Sequence, residues 1–211
     1  MMLGMSLGLV AGRSGSGGVV LPTLRGTPTS STTTEPTLPA HAVGDLLVVA
    51  CGAASATNPT LTSGSWLTWG GPFTGASRSI TVFYMIATAT NHTIAITGET
   101  ALRQAWVFAN ATIDDIDVGL NASSTAITWP SLSLTGSCLV GGFAYVVTAQ
   151  TDITAILPSG MTERGNKDTS AAGIGFDSNT TYLTGTYAPA AGTLDTSSAA
   201  SIAVLFSVKG A

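Results

Sequence analysis

The chain has 211 residues, only 9 % of them charged, against 45 % hydrophobic, with a net charge of −4 and seven basic residues. Disorder is excluded, because disordered chains combine low hydrophobicity with high charge. Arg13, Arg25, Arg78, Arg103, Arg164, Lys167 and Lys209 are scattered, which argues against nucleic-acid partners and anionic membrane surfaces, both of which need clustered positive charge.

Taken in chain order, Met1 to Ala11 is apolar and interrupted by Gly4 and Gly8. It is far shorter than the roughly 20 residues of a membrane span. We read residues 1–26 as an apolar, Gly-rich docking arm and linker, with Leu3, Met5, Leu7 and Leu9 as the docking side chains and Ser14 to Gly18 as a flexible joint. A short strand is predicted at Val19 to Leu21 and an edge strand at Thr29 to Thr34, limited by Pro28, Pro36 and Pro39. Gly44-Asp45 signals a turn, and Leu46 to Cys51 is a continuous apolar run of buried-strand length. A Thr/Ser/Asn loop from Ala53 to Ser65 precedes a cluster of Trp66, Trp69 and Phe73. Strands follow at Ser79 to Ala87, His92 to Thr97 and Leu102 to Ala109, and Thr112 to Ser124 reads as an acidic loop. In the second half, strands are predicted at Ser131 to Leu134, Leu139 to Thr148, Ala171 to Asp177, Thr181 to Tyr187 and Ala199 to Lys209. Little helix is expected, since almost no segment carries a 3.6-residue apolar period.

The plan is stated twice. Gly44 to Cys51, Ser63 to Trp66, Ile80 to Tyr84 and Ala105 to Phe108 correspond to Gly136 to Phe143, Pro158 to Thr162, Gly173 to Phe176 and Ile202 to Phe206, roughly 92 to 98 residues later. Neither copy has enough strands for a comfortable sandwich alone. The expected fold is therefore all-β, a single jelly-roll-like two-sheet sandwich over residues 27–211, built from half-repeats at about 27–110 and 125–211. Ser and Thr, about a quarter of the chain, must supply the polar surface. Such a surface repels itself weakly and suits a protein packed beside its own copies or on a scaffold.

Catalytic signals are sparse. Gly4-Met5-Ser6-Leu7-Gly8 matches G-x-S-x-G but lacks the strand-to-helix context that makes such a serine a nucleophile. A Ser–His–acid triad would have to use His41 or His92, both of which read as surface loop residues. Asp114, Asp115 and Asp117 lack the Gly and the closing Glu of a calcium loop and read as solvated acids. Glu35, Glu99 and Glu163 are the only glutamates available for a carboxylate pair. Cys51 and Cys138 stand at non-equivalent positions of the two copies and read as two small buried hydrophobes, with one inter-sheet disulfide as the alternative. Sequons at Asn91, Asn110, Asn121 and Asn179 are what chance yields in a chain rich in Ser and Thr. No catalytic residue, metal ligand or cofactor is assigned, and no enzymatic activity is expected. Trp66 and Trp69 are the candidate ligand aromatics for a sugar-stacking platform, with core packing as the competing role.

The two copies resemble a pattern found in virion accessory proteins of tailed bacteriophages and their prophage relatives. The matching elements are Gly44 to Leu47, Gly64-Ser65-Trp66, Tyr84-Met85-Ile86-Ala87, Pro158 to Glu163 and Val204 to Val208, within residues 27 to 209. Met2 to Gly8 is likewise similar to short leaders on phage tail-region proteins. The chain departs from the pattern in Ser65, which separates a usual Gly-Trp pair, and in Met85, where Lys is usual. The resemblance implies a non-enzymatic structural protein located in the virion and assembled in the host cytoplasm. It would be either a tail-fibre or tail-tip component or a capsid-decorating cement protein. Its implied partners are other virion proteins and copies of itself, with no nucleic acid and no membrane insertion. A carbohydrate- or receptor-binding module, engaging a host-surface glycan, is the alternative.

Overall fold

A computed structural model describes residues 20–53, 58–75, 78–98, 102–121, 124–167, 172–198 and 200–211. In the first half the strands are β1 (Thr23–Leu24), β2 (Thr29–Ser31), β3 (Leu46–Ala53), β4 (Thr60–Leu61), β5 (Leu67–Gly75), β6 (Arg78–Ile86), β7 (Ile96–Thr97) and β8 (Leu102–Ala109). The second half contributes β9 (Ala111–Asn121), β10 (Ser124–Ile127), β11 (Leu132–Val146), β12 (Thr162–Lys167), β13 (Gly173–Asp177), β14 (Leu183–Tyr187), β15 (Gly192–Ser198) and β16 (Ser201–Gly210). One turn of 3-10 helix, Ile153–Ile156, is the only helical element among the described residues. The chain is all-β, and every strand pairing is antiparallel.

The repeat seen in the sequence is a repeat of topology. The first sheet runs β1-β8-β3-β6-β5, with β2 also on β8; the second, reversed, runs β9-β16-β11-β13-β12, with β14 also on β11. Strand for strand, β1, β8, β3, β6 and β5 correspond to β9, β16, β11, β13 and β12. The turn before the edge strand has the same form in both halves, since Gly64 (φ 72°) precedes β5 and Gly160 (φ 81°) precedes β12. The chain passes from the first sheet to the second through Asn110 alone, in the left-handed region that Asn tolerates better than most residues (φ 53°). Two two-stranded ladders, β4-β7 and β10-β15, bring the described residues to four sheets where the sequence led us to expect two.

The architecture is consistent with a β-sandwich. Leu46, Val48 and Ala50 of β3, Ile80 and Val82 of β6, and Leu102, Trp106 and Phe108 of β8 form one cluster with Leu139, Phe143 and Tyr145 of β11 and Ile202, Val204, Phe206 and Val208 of β16. Phe206 is its hub, with ring centroids 5.4 Å from Trp69, 5.2 Å from Trp106 and 6.5 Å from Phe108. A Cβ on Gly141 would lie 2.2 Å from the tip of this ring, and one on Gly142 2.3 Å from the tip of Phe176. The second copy has small residues in β11 because its neighbours' rings fill that space.

Both large sheets are covered on their outer faces as well. Val49, Cys51, Phe83 and Ala105 of the first sheet lie beneath Leu38, Leu61, Trp66, Ile94 and Ile96. Val140, Ala144, Ile174 and Ala203 of the second lie with Ile127, Trp129, Ile153, Ile156 and Leu194. Burial on both faces explains why all eight residues of β3 and of β8 are buried, and why β3 reads as a continuous apolar run without alternation.

Several boundaries differ from the sequence reading. His92 to Thr97 is a loop except for Ile96–Thr97: its backbone is held by His41 at His92 N, by Ser63 Oγ at Thr93 O and Ala95 N, and by Thr62 N at Ala95 O. No strand is found at residues 20–22, and pairing begins at Thr23. The two predicted strands at 131–134 and 139–148 are one strand, β11, bent at a register shift between Leu134 and Cys138. The stretch 112–124 is no loop: most of it is β9, paired along its length with β16.

Candidate functional site

A concave surface lies on the outer side of the first sheet, where the chain before β3 and the chain after β6 run over it. A cleft of about 220 Å³ opens between them, lined by Glu35, Pro36, Thr37, Leu38, His92, Thr93 and Ile94. Leu38 and Ile94 pack down onto the sheet and form its apolar floor.

Each wall is fixed by local hydrogen bonds. Thr29 Oγ1 donates to Thr37 O (2.5 Å), the backbone N–H of Thr34 donates to Ser31 Oγ (3.0 Å), and Arg103 Nη1 donates to Thr34 O (2.8 Å). These bonds tie residues 31–37 to β2 and β8. On the other wall, His92 Nε2 accepts from the backbone N–H of Thr88 (3.0 Å) and of Ala89 (3.1 Å). His41 Nε2 accepts from the N–H of His92 (3.2 Å), while His41 Nδ1 faces Pro39 O at 3.0 Å. A carbonyl only accepts, and a ring nitrogen that accepts carries no hydrogen. The network therefore assigns both rings the Nδ1–H tautomer. The rings stack with centroids 5.7 Å apart and planes 20° apart. The only two histidines of the chain thus form one lock, joining segments 51 residues apart. Among the described residues no carboxylate bonds either ring.

The remaining predicted residues are scattered. Trp66 packs on the outer face of the first sheet with Leu38, and its buried indole N–H has no hydrogen-bond partner among the described residues. Trp69 is on the inner face, 6.1 Å from Tyr84 and 5.4 Å from Phe206. The two rings lie on opposite sides of one sheet and form no common platform. Leu3, Met5, Leu7, Leu9, Ser6 and Glu99 lie outside the described residues.

The three aspartates are structural acceptors in a strand. Asp114 is the extra residue at a β-bulge between Ser207 and Val208, which turns its carboxylate onto β11. There it accepts from Thr135 N (3.2 Å), from Thr135 Oγ1 and from Ser207 Oγ (3.2 Å), and pairs with Lys209 Nζ at 3.1 Å. Asp115 accepts from Ser133 N at 2.8 Å, and Asp117 from Val118 N at 2.8 Å. Side-chain carboxylates thus satisfy β11 backbone donors at its bend. Burial raises the Asp114 carboxyl, but the bonds from Thr135, Lys209 and Cys138 outweigh it and hold it at about 2. No group of three or more candidate metal ligands occurs among the described residues.

Both thiols are free and buried. Cys51 faces outward from the first sheet and Cys138 belongs to the outer-face cluster of the second, so both sheets stand between them and no disulfide can form in this fold. Burial, reduced slightly by Arg103, pushes the Cys51 thiol up to about 12; burial and the Asp114 carboxylate push Cys138 to about 11. Neither provides a thiolate nucleophile near neutral pH. Two of the sequons have a backbone explanation: Asn110 and Asn179 occupy left-handed turns (φ 53° and 54°).

Sequence reasoning missed the cleft because its walls come from two loops far apart in the chain. The available signal was the coincidence of both histidines with loops flanking the same pair of strands. The chain matches no known family model, no curated protein and no solved structure.

Proposed function

We propose that this chain is a non-enzymatic building block of a tailed-phage virion, an exposed tail-fibre, tail-tip or capsid-decorating component that packs against copies of itself. Its two halves would close as a single jelly-roll-like sandwich, with the apolar N-terminal residues as an attachment arm. The observation that carries the reading is the apolar end of the first sheet. On the inner face of β6, burial fades along the strand, from Ile80 and Val82 (both 0 % exposed) to Ile86, 45 % exposed. Leu67, paired with Tyr84 on that face, is 56 % exposed, and Val43 in the adjoining turn is 66 % exposed. A chain with 9 % charged residues has little self-repulsion to keep such an end apart from its copies.

Edge protection supports the same reading. β5 and β9 are the edges of the two sheets on one side; β5 has two register shifts and Pro72, and β9 carries the three aspartates. Such devices block strand-to-strand addition and leave side-chain contacts as the route to assembly. Light scattering of the purified protein should show self-association, and a Leu67→Asp/Ile86→Asp double variant should be monomeric with an unchanged melting midpoint. A wild-type protein that stays a monodisperse monomer and associates with no virion component would overturn the proposal.

A further inference from the structure

We infer that the cleft between residues 35–38 and 92–94 binds a single neutral sugar ring. This goes beyond an assembly role and rests on a different part of the molecule.

Four polar side chains line the cleft with binding capacity to spare. The Glu35 carboxylate and the hydroxyls of Thr37 and Thr93 have no hydrogen-bond partner among the described residues. His92 spends Nε2 on its own loop, and no hydrogen bond to its Nδ1 is seen among the described residues, so that an Nδ1–H donor remains for a ligand. The set combines an acceptor, a donor and two hydroxyls that do either. A ligand bearing several hydroxyl groups uses all four, whereas an ammonium ion would use only the acceptors. A phosphate or carboxylate would meet the Glu35 charge with no lysine or arginine in the lining to offset it. Pro36, Leu38 and Ile94 add an apolar surface suited to the C–H face of a sugar ring.

Size and rigidity fit the same class. At about 220 Å³ the cleft is smaller than the roughly 300–1,000 Å³ of pockets for drug-sized ligands, which leaves room for about one ring. Its walls are fixed before binding, one by Thr29 and Arg103 and the other by the histidine lock. A site with fixed walls loses little conformational freedom on binding.

The test uses the full chain, labelled with nitrogen-15 and titrated with methyl pyranosides of glucose, galactose, mannose and N-acetylglucosamine. At least one should give saturable shifts centred on the amides of Thr37, Leu38, Thr93 and Ile94. Glu35→Gln should weaken it about tenfold and Thr37→Val several-fold, as expected for loss of a charged and a neutral hydrogen bond, with unchanged melting midpoints. Both side chains are on a surface loop and make no internal hydrogen bond, so the variants should fold. Immobilised bacterial surface polysaccharide retained by wild type and not by Glu35→Gln would assign the sugar to a glycan chain; binding of free glycosides only would assign it to a soluble sugar. Absence of saturable shifts, shifts centred elsewhere, wild-type affinity in both variants, or preference for methylammonium or inorganic phosphate over every pyranoside would each overturn the inference. None of these readouts depends on the oligomeric state, so the site and the assembly proposal can fail separately.

Discussion

The two large sheets share a strand order and differ in what covers them. Over the second sheet the cover is sealed. Trp129 stands edge-on to Phe176 with centroids 5.1 Å apart, and its indole N–H donates to Ile156 O at 3.1 Å. Gly192 lets the β15 backbone approach Ile156 so closely that a Cβ there would lie 2.5 Å from Ile156 Cα. Over the first sheet the tryptophan of the cover, Trp66, has a buried N–H with no partner among the described residues, and the cover is two loops with a cleft between them. The ladder and the inner core are common to both copies, because both sheets must face the same interior. The outer cover carries no such constraint, and it is there that the copies have diverged.

The largest expected effect tests the shared interior. Phe206→Ala removes a ring of the second sheet that packs against Trp69, Trp106 and Phe108 of the first, and should cost about 3–5 kcal/mol in denaturant unfolding. A single cooperative transition, lowered as a whole, would show that the two copies unfold together; two separate transitions would break the comparison by making them independent units.

The ion pairs test the difference in cover at a smaller scale. Arg164 makes two bonds to Asp177, at 2.8 and 2.9 Å, with the side chains only 13 % and 2 % exposed. Arg164→Ala leaves that carboxylate buried without a cationic partner, with the bond from Asn179 N (2.7 Å) remaining, and should cost about 3 kcal/mol. In the first half, Arg25 pairs with Asp45 at 2.7 Å but is 44 % exposed, and Asp45 keeps its bond from Ala42 N. Arg25→Ala should cost at most about 1 kcal/mol. Equal losses would contradict the contrast between a sealed and an open copy.

A further effect is one of pH. The folded Asp114 carboxyl is held at about 2, below its ordinary value of 3.8. A lowered carboxyl contributes stability that is fully present above the ordinary value and disappears as pH falls through the folded one. Roughly 1–2 kcal/mol should therefore be lost between about pH 4 and pH 2, and Asp114→Asn should lack that part of the acid dependence. An identical acid profile in the variant would remove Asp114 as the anchor of the β11 bend.

Much of the strand content was legible because it is written in local pattern. Leu46 to Cys51 reads as a buried strand from its unbroken apolar run, and the corresponding landmarks of the two copies occupy corresponding strands. The errors fell where local chemistry is served by distant partners. Asp114, Asp115 and Asp117 look like a solvated loop until β11 supplies the donors they accept from. His41 and His92 look like separate surface residues until pairing of β3 with β6 brings their loops together. Cys51 and Cys138 offer no clue to which faces they occupy, and the structure sets both sheets between them.

The sequence by itself determined that this is a β protein made of two similar halves, with a nearly uncharged surface and few groups for acid–base chemistry. Those are properties of composition, spacing and side-chain period, which each segment expresses without reference to the rest. Only the tertiary structure decided which sheet faces are covered twice, where the histidines lock, and that Glu35, Thr37, His92 and Thr93 share one cleft. Those outcomes depend on antiparallel pairings between residues dozens of positions apart, whose geometry no local pattern encodes.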